Sequence, residues 1–238
     1  REPLEHIERK VWEFAMLGLF LKEVGRLHDR TDALSVGAGD ERILFWLANR
    51  IGRMVATDVY GQGSFAAREA HPSMLDDPAS HAPFPYREEH LDVLWMDARE
   101  LAFEDESFDV VFTLSSIEHF GTPDDVVRSA RELARVLRPG GHAIIVTDFL
   151  VRHDPVDRLA GLLGRRKRDP RYRGTPRRGA LIETFSRSEL SDQIVRPSGL
   201  RELQELDTTV SPDSFKQPRL FVKAKRSVIT SVCLVLEK

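Results

Sequence analysis

Residues 32–60 constrain the fold more than any other stretch. An apolar run, Ala33 to Val36, enters a turn carrying two glycines, Gly37 and Gly39, and an amphipathic segment leaves it. Ile43, Leu44, Leu47, Ala48 and Ile51 recur at the spacing of one helical face. A second short apolar strand then ends on a carboxylate, Asp58, about twenty residues past the glycines. Strand, glycine turn, helix, strand and acid form the layout of a nucleoside-binding βαβ unit. Glycines let the backbone approach a ligand, and the acid accepts hydrogen bonds from a ribose.

The chemistry of the turn separates two ligand classes. A dinucleotide sets its pyrophosphate on the helix N-terminus, but here that first turn carries Asp40 and Glu41. Two carboxylates suit the helix dipole and repel a pyrophosphate. Arg42 also stands where GxGxxG would have its third glycine. A phosphate-free nucleoside with a cationic centre fits better, and S-adenosylmethionine is the obvious candidate. The competing reading is an ordinary tight turn between strand and helix.

The 238 residues suit one well-buried domain over 1–238. A net charge of -3 gives no general pull toward nucleic acid or anionic membranes. The single cysteine, Cys233, excludes an internal disulfide and a cysteine-rich zinc site, and fits a cytoplasmic location. Its place in an apolar strand reads as core. The greasy run Val11 to Leu21 is broken by Glu13 and falls short of the ~20 residues a membrane span needs.

Pro3 to Leu27 reads as a covering helix within an N-terminal region, 1–31, with Val11, Phe14, Ala15, Leu17, Gly18 and Leu21 on its apolar face. That face docks on a sheet or, in the second reading, forms a homodimer surface. Gly61 to His90 is irregular, with His71, His81 and His90 at spacings that suit no zinc knuckle. Leu91 to Met96 is a third strand, closed by Asp97 and Ala98, and Phe108 to Leu114 a fourth. Thr122, Pro123, Asp124 and Asp125 open a helix with a hydroxyl cap, proline at N1 and acids in the first turn. Val126, Val127, Ala130, Leu133, Ala134 and Leu137 form its buried stripe. Pro139, Gly140 and Gly141 stop it before a fifth strand, Ala143 to Val146. Residues 151–186 read as a mobile insertion, with eight basic residues between Arg165 and Arg178. Ser186 to Ile194 reads as a helix, and Leu200 to Leu206 and Val228 to Leu236 as strands. The alternation predicts an α/β, doubly wound, mainly parallel sheet.

With the strands placed, the chain resembles class I S-adenosylmethionine-dependent methyltransferases. Four signals match in order: VGAGDE with Asp58 after it, Asp97-Ala98, FDVVFTLSSIEHF, and LRPGG. The resemblance implies a Rossmann-like, seven-stranded sheet with an antiparallel edge hairpin, supplied by the strands at Leu200 and Val228. It implies that Gly37, Ala38 and Gly39 pass under the methionine part of the cofactor, that Asp58 holds the ribose and that Val59 lies against adenine. Asp97 would accept from the adenine amino group, the Ala98 amide would donate to the ring, and Ser115 and Ser116 would lie beside the sulfonium. Two positions depart from the family pattern. The acid two residues before the first glycine is Ser35, and the third glycine of GxGxG is Glu41.

Methyl transfer to an alcohol needs a proton acceptor, and His119, just past strand four, is the expected base. Glu118 or Asp148 would orient it or replace it. The Glu118-His119 pair is also similar to half of a metal-ligand motif of some ubiquinone-pathway and small-RNA 2′-O-methyltransferases. The glutamate three positions earlier is Ser115 here, so Mg²⁺ stays open but no metal site is expected. A faint likeness to bacterial sugar O-methyltransferases, such as actinobacterial mannoside 1-O-methyltransferases, points to a sugar or oligosaccharide acceptor. The alternatives are an N- or C-methyltransferase of another metabolite and a cofactor-binding partner subunit without activity. No nucleic-acid or membrane partner is expected.

Overall fold

A computed structural model of the chain describes residues 9–62, 70–152, 184–206, 208, 221–224 and 227–238. Helix α1 (Arg9–Glu23) leads into β1 (Asp32–Val36), α2 (Arg42–Ala48), β2 (Arg53–Asp58), β3 (Leu91–Trp95) and β4 (Phe108–Leu114). Helix α3 (Pro123–Val136) and β5 (Leu137–Arg152) follow, then β6 (Arg201–Glu202), β7 (Val222–Ala224) and β8 (Ser227–Glu237). The sheet runs β3-β2-β1-β4-β5-β8-β6, and β7 pairs with β8 beside that row. Neighbours among β1 to β5 are parallel, whereas β8 is antiparallel to β5 and to both of the short strands. This is a Rossmann-like α/β fold, mainly parallel with an antiparallel edge.

Alternation along the central strands feeds a core on each face. Leu34, Val111 and Ile145 point to the side covered by α3, and Ala33, Val110 and Ile144 to the side covered by α1 and α2. Strands buried on both faces read as continuous apolar runs. All five apolar residues assigned to the α2 segment are buried. The start of α3 is a full capping box: Thr122 accepts from the Asp125 amide, and the Asp125 carboxylate accepts from the Thr122 amide.

Several boundaries differ from the sequence expectation. β5 spans 16 residues rather than four, because the turn at Pro139, Gly140 and Gly141 is taken up inside it, as an irregularity in the pairing with β4 between Leu137 and His142. Gly140 takes a left-handed φ of 71°, and its amide donates to the Lys238 carbonyl, tying the turn to the end of β8. The strand expected from Leu200 to Leu206 shrinks to Arg201–Glu202. The helix expected from Ser186 extends as helical turns through Ser198. Residues Pro3 to Ile7 and the basic stretch Arg165 to Arg178 lie outside the described residues.

The face of α1 is rotated from the expected one. Its buried line is Glu13, Leu17 and Leu21, while Val11 stands 51% exposed. Burying two leucines contributes about 3–6 kcal/mol. Taking a carboxylate out of water costs several kcal/mol, which two hydroxyl bonds to Glu13 Oε1 and the Lys10 ammonium beside Oε2 offset in part. Among the described residues no helix is long and apolar enough to cross a membrane.

Candidate active site

The carboxyl ends of the parallel strands gather the residues singled out above, as open α/β sheets do. The glycine turn is held by β2 on one side. Gly37 and Ala38 donate their amides to the Thr57 carbonyl, and Gly39 donates to Asp58 Oδ2 at 2.9 Å. The other Asp58 oxygen accepts from the Val59 amide at 2.7 Å. Burial pushes the Asp58 carboxyl up, against the pull of those two amides. The Tyr60 hydroxyl donates to the Gly39 carbonyl, and burial raises the phenol above its ordinary range. Sequence reasoning missed Tyr60, although its place two residues past the acid was a signal.

On the other side the turn meets the exit of β4. Ser116 donates its hydroxyl to the Gly37 carbonyl at 2.6 Å. Ser115 holds a left-handed φ of 52°, rare for a residue with a side chain. Its amide donates to the Val146 carbonyl and its hydroxyl to Glu13 Oε1, which pins the strained residue from both ends.

At β3, Asp97 is engaged by Arg99, whose guanidinium donates to both carboxylate oxygens and whose amide donates to one of them. The Arg99 side chain holds Asp97 below the usual carboxylate range. Ala98 is buried beside it.

Glu118 is buried at 1% exposure and accepts from the Thr147 hydroxyl at 2.7 Å and from the Asp148 amide. Burial, with the Asp148 charge beside it, pushes Glu118 up to about 7. Asp148 is also raised by burial, while Arg9 of α1 pulls it back through a 2.6 Å ion pair. His119 lies within electrostatic reach of both carboxyls. A carboxyl turned away from solvent suits the orienting role for Glu118 rather than the replacing one.

Helix α1 supplies residues that sequence reasoning did not place at the site. Glu13 Oε1 accepts from the Ser115 and Ser231 hydroxyls, bridging β4 and β8. Lys10 reaches Glu41 of the glycine turn at 2.5 Å and Glu13 at 3.2 Å. The signal was the charge that interrupts the apolar run at Glu13.

The histidines of the irregular segment split. His71 and His81 share the Ser73 hydroxyl, at 2.7 and 2.6 Å, and His81 faces Asp40 at 3.4 Å. Among the described residues, no group of three or more potential ligands is placed to hold a metal ion.

The donor set distinguishes between the two ligand classes. The turn offers Asp40, Glu41 and Asp58 and two bonded amides, so it fits a cationic, phosphate-free nucleoside and rejects a pyrophosphate. A family model described as a methyltransferase domain matches residues 34–145. These residues form a class I S-adenosylmethionine-dependent methyltransferase domain. Its cofactor is S-adenosylmethionine. Methyltransferase GfsG of Streptomyces halstedii is 31% identical over 133 residues, 53% of this chain and 43% of that protein. The 27-O-demethylrifamycin SV methyltransferase of Amycolatopsis mediterranei is 46% identical over 61 residues, 26% of this chain and 21% of that one. The chain thus spans less than half the length of these curated relatives. A putative sarcosine dimethylglycine methyltransferase from Galdieria sulphuraria shares the fold, with a TM-score of 0.63 at 15% identity over 100% of this chain and 91% of that one.

In this methyltransferase domain, Gly37, Ala38, Gly39 and Asp58 are brought together at one strand end. Ser116 meets the turn from the end of β4, Ser115 beside it turns its hydroxyl to Glu13, and Asp97 follows the third strand. Glu118, His119 and Asp148 cluster where the chain leaves β4, Asp148 coming from within the neighbouring β5.

Proposed function

We propose that the chain transfers a methyl group to a hydroxyl of a small polyhydroxyl acceptor, a sugar or oligosaccharide. The observation that carries this reading is His119 just past β4, within electrostatic reach of the buried Glu118 and Asp148 carboxyls. Bound S-adenosylmethionine supplies an electrophilic methyl, so the protein's work is alignment and proton removal. His119 would take the proton of the acceptor hydroxyl as the methyl passes from sulfur to that oxygen. Asp148 and Glu118 stabilise the imidazolium that results. Gly37, Ala38 and Gly39 would approach the methionine part, Asp58 would hold the ribose, Val59 and Ala98 would line the adenine, and Asp97 would accept from it. Ser115 and Ser116 flank the reacting methyl.

One relative is named for 27-O-demethylrifamycin SV, which supports an oxygen acceptor. The sugar rests on the faint likeness to sugar O-methyltransferases. Mass-spectrometric screening of methyl transfer across sugars, glycosides, amines and small phenols tests the reading. Transfer to a sugar hydroxyl is expected. Transfer confined to nitrogen or carbon acceptors overturns it, and cofactor binding with no transfer to any acceptor indicates a partner subunit. His119→Ala should lower turnover by about two to four orders of magnitude with S-adenosylhomocysteine affinity unchanged.

A further inference from the structure

Ser35 stands where the family pattern carries an acid, and the structure holds an unusual set of oxygens a few residues away. The Lys10 ammonium, on the first described turn of α1, sits among three acceptors. Glu41 Oε1 of the glycine turn is 2.5 Å away, Glu13 Oε2 3.2 Å and the Leu114 carbonyl at the end of β4 3.3 Å. Glu13 Oε2 meets the ammonium as an ion pair and is otherwise buried with no hydrogen-bond partner. Two carboxylates therefore share one ammonium, and Asp40 adds a further negative charge beside Glu41. Buried charge left unbalanced is costly.

We propose that Glu13, Glu41 and the Leu114 carbonyl form the subsite for the primary ammonium at the amino-acid end of the cofactor, and that Lys10 fills it as an internal surrogate in the ligand-free chain. The inference rests on S-adenosylmethionine as cofactor. A lysine head and an amino-acid ammonium present the same chemistry, a compact cation with three donors and no acceptor. The subsite is all acceptor, and it joins the glycine turn to the β4 exit. Its two parts differ in firmness. The Ser115 and Ser231 hydroxyls both hold Glu13 Oε1, so the acceptor stays in place. Lys10 is half-exposed on a flexible stem and swings into water when a second ammonium arrives. The surrogate thereby lowers cofactor affinity by the fraction of time it occupies the subsite.

Calorimetry with two ligands tests this. S-adenosylhomocysteine carries the amino-acid end, and 5′-methylthioadenosine has the same nucleoside and a thioether without it. Lys10→Met should tighten S-adenosylhomocysteine about tenfold and leave methylthioadenosine within about twofold. Glu13→Gln should weaken S-adenosylhomocysteine about tenfold, again with little change for methylthioadenosine, in protein shown by circular dichroism to be folded. Lys10→Met weakening S-adenosylhomocysteine would make the lysine a partner of the ligand's carboxylate and overturn the assignment. Equal shifts for both ligands, or no shift for either, also overturn it. Wild-type protein that binds neither compound removes the cofactor and the subsite together, whereas normal methylthioadenosine binding without discrimination removes the subsite alone.

Discussion

Ser116 and Gly37 are locked together, hydroxyl to carbonyl at 2.6 Å, across the seam between the glycine turn and the exit of β4. The approach is so close that a Cβ on Gly37 would stand 2.6 Å from Ser116 Cβ and 2.9 Å from the Phe120 ring. Gly37 also needs its left-handed φ of 70°. The seam joins the glycine turn to the exit of β4.

Gly37→Ala should therefore lower stability by roughly 2–4 kcal/mol through strain and overlap together. Urea denaturation would show the midpoint falling with little change in slope. An unchanged midpoint would mean that the seam opens freely.

Asp58 spends both oxygens on backbone amides, Gly39 and Val59. Asp58→Asn keeps the shape but offers only one carbonyl oxygen, so one amide loses its partner. A stability loss of about 1–3 kcal/mol is expected, together with at least about tenfold weaker S-adenosylhomocysteine binding. Thermal melts and calorimetry on the same preparation measure both.

Glu118 titrates from 4.5 to about 7 on folding, raised first by burial and then by Asp148. A carboxyl raised in the folded state favours folding while protonated. Its contribution is complete below about pH 4.5 and is lost as pH rises through about 7, on the order of 3 kcal/mol in all. Asp58, Glu41 and Asp148 are shifted the same way. Wild-type Tm should fall between pH 5 and 7.5, and Glu118→Gln should remove roughly 5 °C of that fall. Identical pH profiles would show that Glu118 is charged throughout.

Excess EDTA in an active assay should change neither turnover nor Tm. Loss of either would reveal a metal that the serine at position 115 argues against.

Most of the sheet was legible because its strands are short apolar runs separated by clear punctuation. Phe108–Leu114 has the expected bounds, and Thr122, Pro123 and Asp125 mark the start of α3. The length of β5 was not legible. Pro139, Gly140 and Gly141 carry a break signal, yet the backbone bonds of Gly140 and Gly141 to Lys238 hold the turn within the path of the strand. The α1 face failed for a different reason. Glu13 reads as an interruption of an apolar stripe, and only its hydroxyl partners, 102 and 218 residues away, put it at the centre of the buried side. A separation of 29 residues likewise hid the Thr147 hydroxyl that holds Glu118. Nearest-neighbour patterns recover elements, while buried polar pairs depend on topology.

The bridge from Glu13 to Ser115 and Ser231 has a practical consequence for chimaeras. The leading helix cannot be exchanged with a relative's as an independent cassette. A donor helix without the glutamate would strand two serine hydroxyls on different strands and release the backbone twist at position 115. Grafts should carry the three positions as one inherited set.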